Sequence, residues 1–299
     1  MKPEAILNSA FNGHSMVAPL QRVLVCSPQN SGWNDPVRAG RWRELGYHHA
    51  PDCALAQMQH EAMCRELQAV GAELVNLQTQ PELSLDAVYA HDSALPTDWG
   101  IIIMRPGKAN RLAEGACQRE LYEQMGIPIL GEVTAPGTSE AGDIVWLNRE
   151  TLLIGRSYRT NASGVEQIRA MLKPQSVEVL SAPLPHAAGP STCLHLMSLM
   201  SVLDDNVVIV DLPWLAVETV ELLSSRGFRF VEIDATERDT LACNVLSLGH
   251  RRLLALEENE STNQRLRQAG FDVRTFPGSE LCINGSGGPT CLTRPFLRG

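Results

Sequence analysis

A chain of 299 residues with 44% hydrophobic and 20% charged residues holds enough apolar material for a sizeable core, as one large domain or two ordinary ones. Its formal net charge of −9 excludes a nucleic-acid surface, which needs a basic field, and no apolar run approaches the length that spans a bilayer. The first 20 residues lack a basic start and are broken by Asn8, Asn12 and His14; together with eight scattered cysteines this predicts reduced thiols and a cytoplasmic protein.

In chain order, one pattern recurs: a β-branched strand, a polar loop, an amphipathic helix, usually a glycine, then a second strand. The first unit has its strand at 22–25, helix at 54–69, Gly71 and a strand at 73–77. The second runs from 101–104 through a helix at 114–125 and Gly126 to 127–130. The third has 151–154, a helix at 165–172 and 177–180; the fourth 207–210, a helix at 214–226, Gly227 and 228–233. The fifth has 252–256, a helix at 262–268, Gly270 and 271–275. Four of the five helices stop at a glycine, which closes a helix in the left-handed conformation with little strain.

This alternation is α/β. A doubly wound open sheet would alternate likewise, but no G-x-G-x-x-G follows the first strand and the units look equivalent. A repeat of roughly 50 residues suits radial closure. The expected fold is therefore a five-bladed α/β propeller with pseudo-five-fold symmetry, in a single domain over residues 1–299 with no linker to divide it. Between units lie polar connections at 86–92, 138–146, 186–203, 241–248 and 280–293. Loops at one phase of a closed repeat converge on the axis, and these carry Asp92, Glu140 with Asp143, His195, Asn244 and Cys291.

Those residues can do chemistry together. Cys291 follows Gly287-Gly288-Pro289-Thr290, whose glycines let backbone approach a ligand, so it reads as a nucleophile rather than a core thiol. His195, in an otherwise apolar string, would transfer protons. The other seven cysteines default to core or surface, and His48, His49, His60 and His186 to surface or helix positions. Cys193 with His195 spells C-x-H, but without a second ligand pair it predicts no metal site. In Ser139-Glu140-Ala141-Gly142-Asp143, Glu140 would orient the histidine or grip a cation and Asp143 brace the loop; a solvated turn fits equally. Asp92 suits a planar cation, or a cap. Arg111 and Arg159 suit a bidentate clamp on a carboxylate, or a plain surface. The segment from 30–34 onward is long enough to cover the site.

The strings Tyr89-Ala90-His91-Asp92, Arg105-Pro106-Gly107 through Arg111, Glu140-Ala141-Gly142-Asp143, Arg159-Thr160-Asn161, Leu194-His195-Leu196 and Gly287-Gly288-Pro289-Thr290-Cys291 resemble the guanidine-modifying pentein superfamily, closest to dimethylarginine dimethylaminohydrolases. The resemblance implies a small guanidino substrate, no cofactor and no metal, with room for a homodimer. It implies that Cys291 attacks the guanidinium carbon and that His195 serves the leaving amine and then water. It places Glu140 with them, Asp92, Asp86 and Asp143 at the substrate, and Arg111 and Arg159 on its carboxylate. Three positions depart from the pattern. Met197 stands where deiminases and amidinotransferases carry Asp and dimethylargininases Lys, His91 replaces an acidic residue or Arg, and Ala141 replaces a glycine. The expected reaction is hydrolysis of a methylated arginine to citrulline and an alkylamine. Arginine deimination, amidino transfer and a non-catalytic ligand-binding propeller are the alternatives.

Overall fold

The structure, a computed structural model, describes residues 10–190 and 192–299. In chain order, β1 (Leu20–Val25) is followed by two short helices, α1 (Pro36–Ala39) and α2 (Trp42–Leu45), then α3 (Cys53–Ala69) and β2 (Glu73–Asn76). Next come β3 (Ala94–Thr97), β4 (Gly100–Ile103), α4 (Leu112–Gln124) and β5 (Ile129–Glu132). The third unit is β6 (Ile144–Asn148), β7 (Thr151–Arg156), α5 (Ala162–Leu172) and β8 (Glu178–Pro183). The fourth is β9 (Met200–Asp204), β10 (Val207–Val210), α6 (Val217–Ser225) and β11 (Arg229–Glu232). The chain then runs through β12 (Leu246–Gly249), β13 (Arg252–Leu256), α7 (Glu260–Gln268) and β14 (Asp272–Phe276) to β15 (Thr293–Arg298).

These strands make five three-stranded sheets, ordered β15-β1-β2, β3-β4-β5, β6-β7-β8, β9-β10-β11 and β12-β13-β14. In each, the middle strand pairs parallel with the strand beyond its helix and antiparallel with a third. That is the five-bladed α/β propeller. The middle strands read as unbroken apolar runs, such as Val207–Val210, because both faces are covered. Gly71, Gly126, Gly227 and Gly270 take φ of 91°, 71°, 80° and 87° just past α3, α4, α6 and α7. After α5 the left-handed position falls to Ser176, beyond one 3₁₀ turn.

The polar connections expected between units need correction. Each leads into a strand, β3, β6, β9, β12 or β15, and residues 85–98 are buried throughout. These strands are short, covered on both faces, and in two cases contain a proline (Pro96, Pro295), so no period of two marks them. β15 pairs with β1 from Leu20↔Arg298 to Val25↔Thr293, so the end of the chain completes the first blade.

Each hydrophobic cluster lies between consecutive blades. Leu24 packs with Ile101 and Ile103, Ile102 with Trp146 and Leu152, Val145 with Val208, Ile209 with Leu253, and Leu254 with Val23. At roughly 1.5–3 kcal/mol per fully buried aliphatic side chain, this burial closes the ring.

Candidate functional site

Asp92, Asn244 and Cys291 each stand two residues ahead of their inner strands, β3, β12 and β15. A belt of hydrogen bonds joins the loops that hold them. His91 N–H donates to Cys291 O (3.1 Å) and Ala141 N–H to Asp92 O (3.0 Å). Gly142 N–H donates to Asp92 Oδ1 (2.9 Å), Leu196 N–H to Asp143 Oδ1 (2.9 Å), and Ser201 Oγ to Cys243 O (2.7 Å). Asn244 closes the circle: its Oδ1 accepts from Thr290 N–H (2.9 Å) and its Nδ2 donates to Cys291 Sγ (3.1 Å). Buried backbone needs such partners, so irregular loops can meet at the centre of the molecule.

Glu140 is fully buried, with Oε2 2.8 Å from His195 Nε2 and Oε1 accepting from Gly107 N–H at 2.8 Å. Arg159 Nη1 lies 3.6 Å from the same Oε1. One carboxylate oxygen of each of Asp92 and Glu140 lies within 4.8 Å of the other's and of a His195 ring nitrogen. Burial opposes charge on Glu140, but the hydrogen bond and charge of His195 hold it below the usual carboxylate range. Asp92 is likewise held low against its burial, by His195 and Arg111. His195 in turn is held well above the ordinary imidazole value: burial opposes it, while Cys193, Asp92 and Asp143 favour the cation.

Two of the expected site residues are held by protein partners. Arg111 is buried and committed inward: Nη1 meets Asp92 Oδ2 at 2.6 Å, Nε and Nη2 fork onto Glu114 at 2.8 Å each, and Nη2 also reaches Tyr89 O at 3.0 Å. A guanidinium so engaged braces Asp92 and Glu114. Asp143 accepts from Leu196 N–H and from Ser157 Oγ at 2.6 Å, which ties down the His195 loop. Burial pushes it up to about 6.

Asp86 lies in the 3₁₀ turn Leu85–Val88, 3.1 Å from Lys108 Nζ, which also donates to Leu45 O at 2.8 Å. The segment around residues 30–47 is thereby fastened down, and Trp33 Nε1 donates to Leu85 O at 3.1 Å. Of the remaining histidines, His48, His49 and His186 are exposed, while His60 is buried inside α3.

The eight cysteines are free thiols, and a second one sits beside His195. Cys193, expected to be core or surface, has its Sγ 3.9 Å from His195 Nδ1. Burial opposes its ionisation, yet the charge and hydrogen bond of His195, followed by Arg159, hold it below the usual thiol range. Cys291 behaves oppositely: burial, then Asp92 and Cys193, push its thiol up to about 12, although His195 and Asn244 pull the other way. The C-x-H string was the available signal for Cys193, provided its spacing is read as one thiol beside one imidazole. For Lys108 the sequence holds no such signal.

A fold of five α/β blades with thiol, imidazole and carboxylates on its axis defines the guanidine-modifying propellers. The arginine deiminase family model matches residues 84–218 and 213–298, and the chain belongs to that family. It is 29% identical over 247 residues to the N(G),N(G)-dimethylarginine dimethylaminohydrolase of Streptomyces coelicolor, covering 81% of this chain and 86% of that one. To the enzyme of that name from Pseudomonas aeruginosa it is 28% identical, over 82% of this chain and 90% of the other. The solved structure of a variant of the Pseudomonas aeruginosa enzyme complexed with citrulline superposes with a TM-score of 0.75 at 26% identity, over 93% of this chain and all of that one.

Proposed function

We propose that the chain hydrolyses the guanidinium of an Nω-methylated arginine, releasing citrulline and an alkylamine, and that one propeller domain carries the reaction. The observation that carries this reading is the meeting of Asp92, Glu140, His195 and Cys291 on one axis, held by the belt that Asn244 closes. Relatives of that name cover more than four-fifths of the chain, which supports the substrate class.

In this reading, a cationic guanidinium enters beside Asp92 and Glu140, two acids held ionised. Burial and then negative neighbours keep Cys291 protonated. The substrate's charge offsets those neighbours, so its binding favours release of the thiol proton to solvent and formation of the thiolate. The thiolate Sγ forms a bond to the guanidinium carbon, and the C=N electron pair moves to nitrogen. His195, cationic at rest, gives a proton to the departing amine as the C–N bond breaks, leaving a thiouronium on Cys291. Its Nε2 is held by Glu140, and its Nδ1 faces Cys193 Sγ at 3.9 Å. The neutral ring then takes a proton from water, the hydroxide adds to the same carbon, and the C–S bond breaks to release the ureido product. Arg159 is the remaining cation for the substrate's carboxylate, with Asp86 and Lys108 at the fastened segment.

Met197 removes the acidic residue that deiminases carry after the histidine, which favours the methylarginine reading over arginine deimination. A colorimetric citrulline assay with dimethylarginine, arginine and agmatine separates them. Turnover of dimethylarginine is expected; absence of ureido product from every guanidine rejects the hydrolase, and a need for an amine acceptor indicates amidino transfer.

A further inference from the structure

Beside the axial belt lies a chamber whose wall is mostly apolar. It is lined by His91, Met197, Ser247, Thr290, Arg294 and Arg298 among others, with no carboxylate in its wall. It offers about 30 Å³ to a water-sized occupant, enough for one or two such particles.

Its charges are one-sided. Arg294 and Arg298 are each 6% exposed, and among the described residues neither lies within 4.0 Å of an acid. Arg294 Nη1 donates only to carbonyls, His91 O (3.3 Å) and Ala94 O (3.0 Å), and Arg298 Nη1 to Ala18 O (2.7 Å). Buried arginines are ordinarily paired, because an unpaired buried charge is costly. Three more polar atoms here lack any partner: Arg294 Nε, Thr290 Oγ1 and His91 Nε2. All belong to residues at least nine-tenths buried. His91 Nδ1 sits 2.8 Å from Thr293 O, a pure acceptor, so Nδ1 carries the ring proton and Nε2 presents a lone pair.

We propose that this chamber is a binding site for one small inorganic anion of halide size, held by Arg294 and Arg298 and by the Thr290 hydroxyl. Such an anion supplies the missing counter-charge and gives His91 Nε2 reason to take a proton and donate. Burial, followed by the like charge of Arg294, pulls Arg298 down to about 9, a cost the anion relieves. A volume of about 30 Å³ favours a halide over sulfate, phosphate and organic carboxylates. His91 and Met197, two of the three departures from the family pattern, both line this one chamber, so both bear on a single local change. The proposal stands independently of the reaction assigned to the site above.

Bromide is the probe. Crystals of the full chain grown with sodium bromide should show one anomalous peak within hydrogen-bonding reach of Arg294 and Arg298. In solution, sodium bromide should raise Tm by roughly 3 °C over sodium gluconate at equal ionic strength, since only the small anion fits. R298M should lose that difference; should R298M not fold, T290V should reduce it. A chamber holding water alone in bromide-grown crystals, or equal Tm in both salts, overturns the proposal.

Discussion

Arg111 and Asp92 are joined by a 2.6 Å ion pair inside the protein, and the same guanidinium forks onto Glu114, whose Oε2 also accepts from Ser93. One arginine therefore neutralises two buried acids, one of them a candidate ligand for the substrate. Arg111→Met leaves both acids without their cation. The expected cost is about 3–5 kcal/mol of stability, read as a lower denaturation midpoint in urea. Arg111→Lys should recover part of the stability but little activity, because an ammonium cannot span both carboxylates. Full activity in Arg111→Lys would show that the fork has no positioning role.

The two thiols near His195 are expected to separate cleanly in function. Cys291→Ser should reduce turnover about 10,000-fold or more, whereas Cys193→Ser should retain it within about tenfold. Mass spectrometry of the quenched reaction should find the added amidine on Cys291. An adduct on Cys193, with turnover surviving Cys291→Ser, would reassign the nucleophile to the thiol that His195 holds below the usual thiol range.

His195 links stability to pH. Its folded value lies well above the ordinary imidazole value, so its contribution is complete below that ordinary value and fades as pH rises through the raised one. Urea midpoints of the wild type should therefore decline on the alkaline side, and His195→Gln should flatten that decline. Loss of the same proton should give kcat/KM a falling alkaline limb. An alkaline decline unchanged by His195→Gln would assign it to other groups.

Gly142 leaves no space for a side chain. A Cβ built there would lie 2.6 Å from His195 Nδ1 and 2.9 Å from Asp92 Oδ1. Its φ is not positive, so the backbone tolerates alanine and only the two side chains must move. Gly142→Ala should lower kcat by about 100-fold, from displacement of roughly an ångström, and cost about 1–3 kcal/mol of stability. Kinetics and thermal melting on one preparation check both, and unchanged kcat would mean that the ring and carboxylate move without penalty.

Asn244 is the sole side-chain donor to the candidate nucleophile among the described residues. Asn244→Asp replaces that amide donor with a carboxylate oxygen beside the sulfur. The thiol should then ionise at still higher pH, and alkylation of Cys291 by iodoacetamide at pH 8 should slow about tenfold. An unchanged alkylation rate would mean that the amide does not stabilise the thiolate.

Much of this architecture is legible in the chain. The middle strands announce themselves as apolar runs, and the helices by their glycine stops at Gly71, Gly126, Gly227 and Gly270. Their recurrence as five like units points to closure, and the axial phase of the loops brings Asp92, Glu140, His195 and Cys291 into view. The inner strands are not legible: Ala94–Thr97 and Thr293–Arg298 are covered on both faces and interrupted by proline, so no alternation marks them. Nor can spacing tell inward from outward. Arg111 and Arg159 occupy corresponding positions in their units, yet Arg111 forks onto Glu114, an acid one helical turn further on, while Arg159 lies beside Glu140. Cys193 is hidden for a similar reason, since a thiol two residues from a histidine reaches its ring only through the turn that precedes β9.

The pairing of β15 with β1 sets the order in which such a centre can be assembled during synthesis. Acids and imidazole are made early, on loops of the second, third and fourth blades, and the sulfur arrives only with the strand that zips onto the opening one. A ribosome-bound chain still lacking that strand holds an acidic cleft without Cys291 in it. Reactivity thus waits for the ring to shut.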